Sequence, residues 1–262
     1  MWANLPAKDS KARKIAWTII RAIVLAAWVV FGMSLALFIA LSVVRSLPAG
    51  AAEFIISNTI AQLVTSLFVY LFALVVTVGV PFWFNRYVMK RRGEEGALKR
   101  LLGLNKKFDH KNWGAFVLCI VGYFVVTIVL AEIARQFVPG YQADQEQNIG
   151  FSDREGVLNL VLAFFALVVL PPIIEELLFR GYLFGKLRAR SGFWFSAIVT
   201  SLVFGFVHGQ LNVGIDTFAL SIFLCYLRER TGSIWMSMVL HATKNGLAYF
   251  LLFIGPLIGI NL

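Results

Sequence analysis

Residues 157–181 read VLNLVLAFFALVVLPPIIEELLFRG, from Val157 to Gly181. The run is uncharged up to Leu170; two prolines, two glutamates and an arginine then interrupt it. About 20 apolar residues cross about 30 Å of hydrocarbon. In lipid every backbone polar group must be satisfied within the protein, so such a run reads as a helix. Three formal charges inside it then need a reason: a buried ion cluster or a polar site enclosed by helices.

The remainder of the chain repeats the apolar pattern. It has 262 residues, of which 59% are hydrophobic and only 15% charged, with a mean hydropathy of +0.78. A soluble domain carries about a quarter charged residues. Seven spans are expected, at roughly 15–44, 56–84, 113–134, 157–187, 192–209, 212–228 and 232–254. The last can also be read as a broken helix with a separate tail from Phe250 to Leu262, and the count as seven or eight. Long continuous runs exclude a β-barrel, whose strands are short and alternating. The expected fold is therefore all-α, a polytopic membrane helical bundle forming one integrated membrane domain. Residues 1–156 would give the N-terminal transmembrane helices and a basic loop at 85–112, and residues 157–262 the helical core that carries the charges.

The net charge of +10 reads as topology and not as nucleic-acid binding. With the N-terminus inside, the inner segments collect Lys8, Lys11, Arg13, Lys14, the basic run from Arg86 to Lys111, Lys186, Arg188, Arg190, Arg228 and Arg230. The outer segments hold only Arg45, Arg135 and Arg154. The positive-inside rule then places the C-terminus outside. Ile15 to Val44 is about twice the length of a signal-peptide core, so it reads as an uncleaved first span. Cys119 and Cys225 lie singly in apolar spans, offering neither a disulfide framework nor a metal pair.

Between Asn85 and Asn112, leucines alternate with lysines and arginines in GALKRLLGLNKKF. This fits either an amphipathic helix lying on anionic headgroups or a solvated basic loop. His110 reads as a surface histidine. Ser152 and Glu155 have capping-box spacing and are expected to start the fourth helix.

An ionisable side chain at mid-bilayer costs about 2.5–3.5 kcal/mol. The apolar spans nevertheless contain Glu175, Glu176, Arg180, His208, His241 and Lys244. Glu176 and Arg180 are i,i+4 neighbours in the favourable order and can neutralise each other. Glu175 is rotated about 100° away, which leaves it without a partner on its own helix and makes it the candidate general base. Pro171 and Pro172 should kink or restart the helix and put Glu175 in a first turn. Desolvation then opposes its charge and the helix dipole supports it. Phe204 and His208 are i,i+4, as are His241 and Asn245, a pair of donors able to hold an oxyanion. Counting about 1.5 Å per residue from the nearest turns puts Glu175, His208 and Asn245 in one layer. Lys244 reads as a snorkelling or charge-balancing residue.

In order along the chain, EELLFR, FGFVH and HATKN fit the motifs EExxxR, FxxxH and HxxxN. The chain thereby resembles the CAAX protease and bacteriocin-processing (Abi) family of intramembrane proteases, over roughly Val157 to Phe253. The resemblance implies cleavage of a peptide bond in a membrane-associated, prenylated or exported peptide. Glu175 and His208 would activate water, His241 and Asn245 would stabilise the oxyanion, and Glu176, Arg180 and Phe204 would support them. It leaves the cofactor open between none and Zn²⁺, which Glu175, His208 and His241 would then ligate with water in the fourth position; no HExxH motif forces zinc. Expected partners are membrane lipid and a peptide or lipidated protein, in a bacterial plasma membrane. Two other readings stand beside the protease: a non-catalytic immunity or scaffold protein binding a bacteriocin-like peptide or partner helix, and a proton-coupled transporter, against which the lack of inverted repeats counts.

Overall fold

The structure is a computed structural model and describes residues 11–88, 96–108, 110–143, 145 and 156–260. The proposed capping box at Ser152 and Glu155 lies outside the described residues. Among those residues there is no strand. Six helices are long and apolar enough to cross a membrane: α1 (Lys11–Ser46), α3 (Thr59–Val88), α5 (His110–Phe137), α6 (Val157–Arg188), α8 (Leu211–Thr231) and α9 (Trp235–Ile258). Three shorter helices join them: α2 (Ala49–Ser57), α4 (Ala97–Leu102) and α7 (Phe193–Phe206). The protein is a polytopic, integral membrane helical bundle.

One expected span is corrected. The run 192–209 forms only the 14 residues of α7, about 21 Å at 1.5 Å per residue, which is too short to cross alone. Val207 to Gly209 instead form a turn, with Gly209 at φ +70°.

Helix packing is set by small residues where backbones approach. The buried positions of α1 are Ala22, Val29, Gly32, Ala36 and Ala40, a stripe turned toward α3. A Cβ at Gly32 would collide with Thr77 Oγ1. Trp28 Nε1 donates to the Thr77 carbonyl at 3.0 Å across the same contact. The largest core cluster draws on both halves of the chain, including Val29, Ala73, Leu102, Leu178, Leu183 and Phe204. Outward faces are apolar: Phe38, Leu118 and Ile128 are all exposed, as lipid contact requires.

The basic segment behaves differently from both expectations. Leu98, Leu101 and Leu102 of α4 pack into the protein core, not onto headgroups. Gly181 and Gly185 of α6 make room for them: a Cβ on Gly185 would sit 2.8 Å from the Leu101 carbonyl oxygen. The i,i+3/i+4 leucine spacing is real, but its apolar face meets α6.

The proline pair does not restart α6. A π-helical turn, Phe165–Val169, runs directly into the α-helical turn Leu170–Glu176, and Val169 keeps helical angles (φ −102°, ψ −53°). The backbone stays helical through the prolines, so Glu175 lies within a continuous helix and not at a fresh N-terminus.

Candidate active site within the bundle

Glu175 and Glu176 project from α6 into different surroundings, as their 100° offset requires. Both are buried. Glu176 Oε1 accepts from Arg180 Nη1 at 2.8 Å, and neither side chain has any exposed surface. The Arg180 guanidinium lies over the Phe204 ring, with Cζ 4.4 Å from its centroid. Glu176 has a second duty that helix geometry alone did not show: its Oε1 also meets His241 Nδ1 at 3.0 Å. A carboxylate only accepts, so Nδ1 carries the proton. The other ring nitrogen, Nε2, points toward Glu175, 3.8 Å from its Oε2.

Glu175 has no partner on its own helix, as expected, but it has one elsewhere. Tyr70 of α3 donates its hydroxyl to Glu175 Oε1 at 2.9 Å. Sequence reasoning missed Tyr70 because a tyrosine in LFVYLFALVV gives no spacing signal. It also passed over Asp216 in α8. Asp216 Oδ2 takes Lys244 Nζ at 2.9 Å, and its other oxygen accepts from Tyr123 of α5 at 2.5 Å. Lys244 is thus an ion-pair partner and not a snorkelling side chain.

His208 sits just past the end of α7. Its backbone N–H turns to the Gly205 carbonyl at 3.3 Å, so the Phe204 carbonyl loses its usual i+4 donor. The imidazole supplies one: His208 Nδ1 meets the Phe204 carbonyl at 2.6 Å. A carbonyl only accepts, so Nδ1 is the protonated nitrogen and Nε2 is left with its lone pair. Phe204 also contacts both imidazoles edge-on, at 4.9 Å from His208 and 5.7 Å from His241. The FxxxH spacing therefore does three things at once: it spaces the two histidines, caps a helix and covers Arg180.

Asn245 is one turn beyond His241 on α9. Its Nδ2 donates to the Leu167 carbonyl at 3.0 Å. That acceptor exists because of the prolines. The α-helical donor to Leu167 would be residue 171 and the π-helical donor residue 172, and both are proline. Asn245 fills the vacancy with one amide hydrogen and keeps the second.

Glu175, His208, His241 and Asn245 all line one cavity of about 410 Å³, together with Tyr70 and Lys244. The layer expected from residue counting is thus a single chamber, walled by α1, α3, α6, α8 and α9. Among the described residues no group of three or more His, Cys, Asp or Glu side chains is drawn together as a metal-ion site.

Residues 157–247, which contain all these residues except Tyr70 and Tyr123, match the family model described as type II CAAX prenyl endopeptidase Rce1-like. This segment is similar to that family. The "Putative membrane peptidase YdiL" of Bacillus subtilis is 27% identical over 128 residues, 48% of this chain and 52% of that protein. A 24.3 kDa protein of Escherichia coli is 29% identical over 143 residues, 52% of this chain and 61% of that one. YyaK of B. subtilis is 27% identical over 205 residues, 74% of this chain and 62% of its own length. The matches thus span about half to three-fifths of these relatives. No solved structure matches. The matched segment holds the three motifs; α3, which supplies Tyr70, lies outside it.

Proposed function

We propose that the protein is an intramembrane endopeptidase of the CAAX-protease type, cleaving a membrane-associated, prenylated or exported peptide with water activated by Glu175 and His208. The observation that carries this reading is the shared chamber: a carboxylate, two imidazoles and a carboxamide from three elements line one cavity inside a membrane bundle.

In this mechanism the Glu175 carboxylate takes a proton from water while His208 Nε2, left as an acceptor, holds the water's second hydrogen. The hydroxide oxygen bonds to the peptide carbonyl carbon and the carbonyl oxygen takes up the electron pair. The second amide hydrogen of Asn245 and a proton on His241 Nε2 donate to that oxyanion. His241 stands between two acceptors, Glu176 and Glu175, the setting in which an imidazolium donates at both nitrogens. Losing one such donor costs about 10²–10³ in rate. Collapse of the adduct breaks the C–N bond, and Glu175 returns its proton to the leaving nitrogen. No step is routed through a metal.

The test uses purified protein in lipid with membrane-tethered peptides. Wild type should cleave and Glu175→Gln should not, while both melt alike. Absence of cleavage by wild type, or equal cleavage by the variant, overturns the reading. A chelator should leave the rate unchanged.

A further inference from the structure

A second concavity, of about 430 Å³, lies between α1 and the final turn of α6 and shares no residue with the candidate active site. Its lining includes Arg21, Lys186 and Arg190 and no acidic residue. Arg21 was the one charge inside the first apolar run that sequence reading left unremarked. Arg21 arrives from one helix, and Lys186 and Arg190 from a segment about 165 positions further on. Lys186 and Arg190 are close enough for their charges to repel, and Lys186 Nζ lies 5.8 Å from the Tyr182 ring centroid, at the edge of cation–π range.

The other lining is apolar. Trp17, Ile20 and Val24 are all exposed, on a helix whose outward face meets lipid. At 36 residues, α1 is about 54 Å long, well beyond about 30 Å of hydrocarbon, and Lys11, Arg13 and Lys14 mark its first turns as an end that reaches the headgroup layer. Three converging cations with no acidic residue beside them in the lining among the described residues, above an apolar wall at that depth, match a negatively charged headgroup with acyl chains beneath it. A free soluble anion would leave the apolar wall unmatched.

We propose that this groove is a binding site for an anionic phospholipid. The inference does not depend on the protease reading.

The experiment is native mass spectrometry of the full chain with added phosphatidylglycerol or phosphatidylcholine. Wild type should retain phosphatidylglycerol at least tenfold better than phosphatidylcholine, and inorganic phosphate should not displace it. The triple variant Arg21→Gln, Lys186→Gln, Arg190→Gln should lose more than tenfold of the phosphatidylglycerol affinity. The control Arg86→Gln, Lys99→Gln, Lys107→Gln removes the same charge from exposed positions elsewhere and should keep that affinity. The single Arg21→Gln, at an exposed position, should lose affinity several-fold and covers any folding defect in the triple variant. The proposal is overturned if the two lipids bind alike, if phosphate competes, if Arg21→Gln or the triple variant binds as wild type, or if the control loses as much.

Discussion

Tyr70 on α3 donates its hydroxyl to Glu175 on α6 at 2.9 Å. The bond crosses from a helix outside the family-matched segment to the carboxylate proposed as base. It holds one oxygen of Glu175, leaving the other on the side of His241. A hydrogen bond to a charged group is worth about 1.5–3 kcal/mol. Tyr70→Phe keeps the ring and removes only the hydroxyl, so kcat should fall about tenfold or more with KM little changed. Steady-state kinetics on a tethered peptide check this; a rise in KM alone would assign Tyr70 to substrate binding.

Arg180 and Glu176 form a fully buried pair beneath Phe204. Removing one partner of such a pair costs about 3–5 kcal/mol, because the other is stranded. Arg180→Ala should therefore lower stability sharply and also loosen His241, which leans on the same Glu176 oxygen. Thermal unfolding in detergent measures it. A variant that melts like wild type yet cleaves nothing would move Arg180 into the chemistry.

The i,i+4 rule was enough to read the Glu176–Arg180 pair, the separate fate of Glu175 and the Phe204–His208 contact, because these are properties of one helix. Residue counting also brought His208 and Asn245 to the depth of Glu175. What the sequence did not carry were partners across helices. Tyr70 looks like an ordinary residue of an apolar run until α3 packs on α6; Asp216 carried the same signal as the other charges in apolar spans, but its pairing with Lys244 appears only when α8 packs on α9. The leucines of α4 were periodic, but periodicity does not say whether an apolar face meets lipid or glycines. The proline effect was half legible: the lost donors were evident, whereas the π-helical turn that keeps α6 continuous depends on what packs around it.

Gly185 is where α4 approaches α6 most closely, and an added Cβ would meet the Leu101 carbonyl at 2.8 Å. Backbone cannot swing aside as a side chain can, so Gly185→Ala should destabilise by about 1–3 kcal/mol. Gly114 offers the contrast, since nothing lies within 4 Å of its Cβ position. Gly114→Ala should be neutral or stabilising by about 0.4–1 kcal/mol. Paired unfolding curves decide it, and equal effects at the two sites would refute the close packing.

Asp216 joins Tyr123 to Lys244, which lines the cavity. Asp216→Asn should leave Lys244 charged without a counter-ion and destabilise the bundle more than Lys244→Met with Asp216→Leu does, because an unpaired charge in an apolar setting is worse than none. Denaturation of the three proteins in one detergent gives the order. A double variant no more stable than Asp216→Asn would show that the pair is solvated and contributes little.

Asn245 has both a structural and a proposed catalytic role, and the prolines allow them to be separated. In wild type the Leu167 carbonyl depends on Asn245 Nδ2, and leaving a buried acceptor unmet costs about 1–3 kcal/mol. Pro171→Ala returns an N–H four residues beyond Leu167, so the helix can satisfy that carbonyl itself. In this background Asn245→Ala should destabilise far less than in wild type, a coupling readable from four unfolding curves. Cleavage should behave otherwise: if the second amide hydrogen holds the oxyanion, Asn245→Ala loses about 10²–10³ in kcat in both backgrounds. Recovery of activity along with stability in the double variant would make Asn245 a helix tie alone.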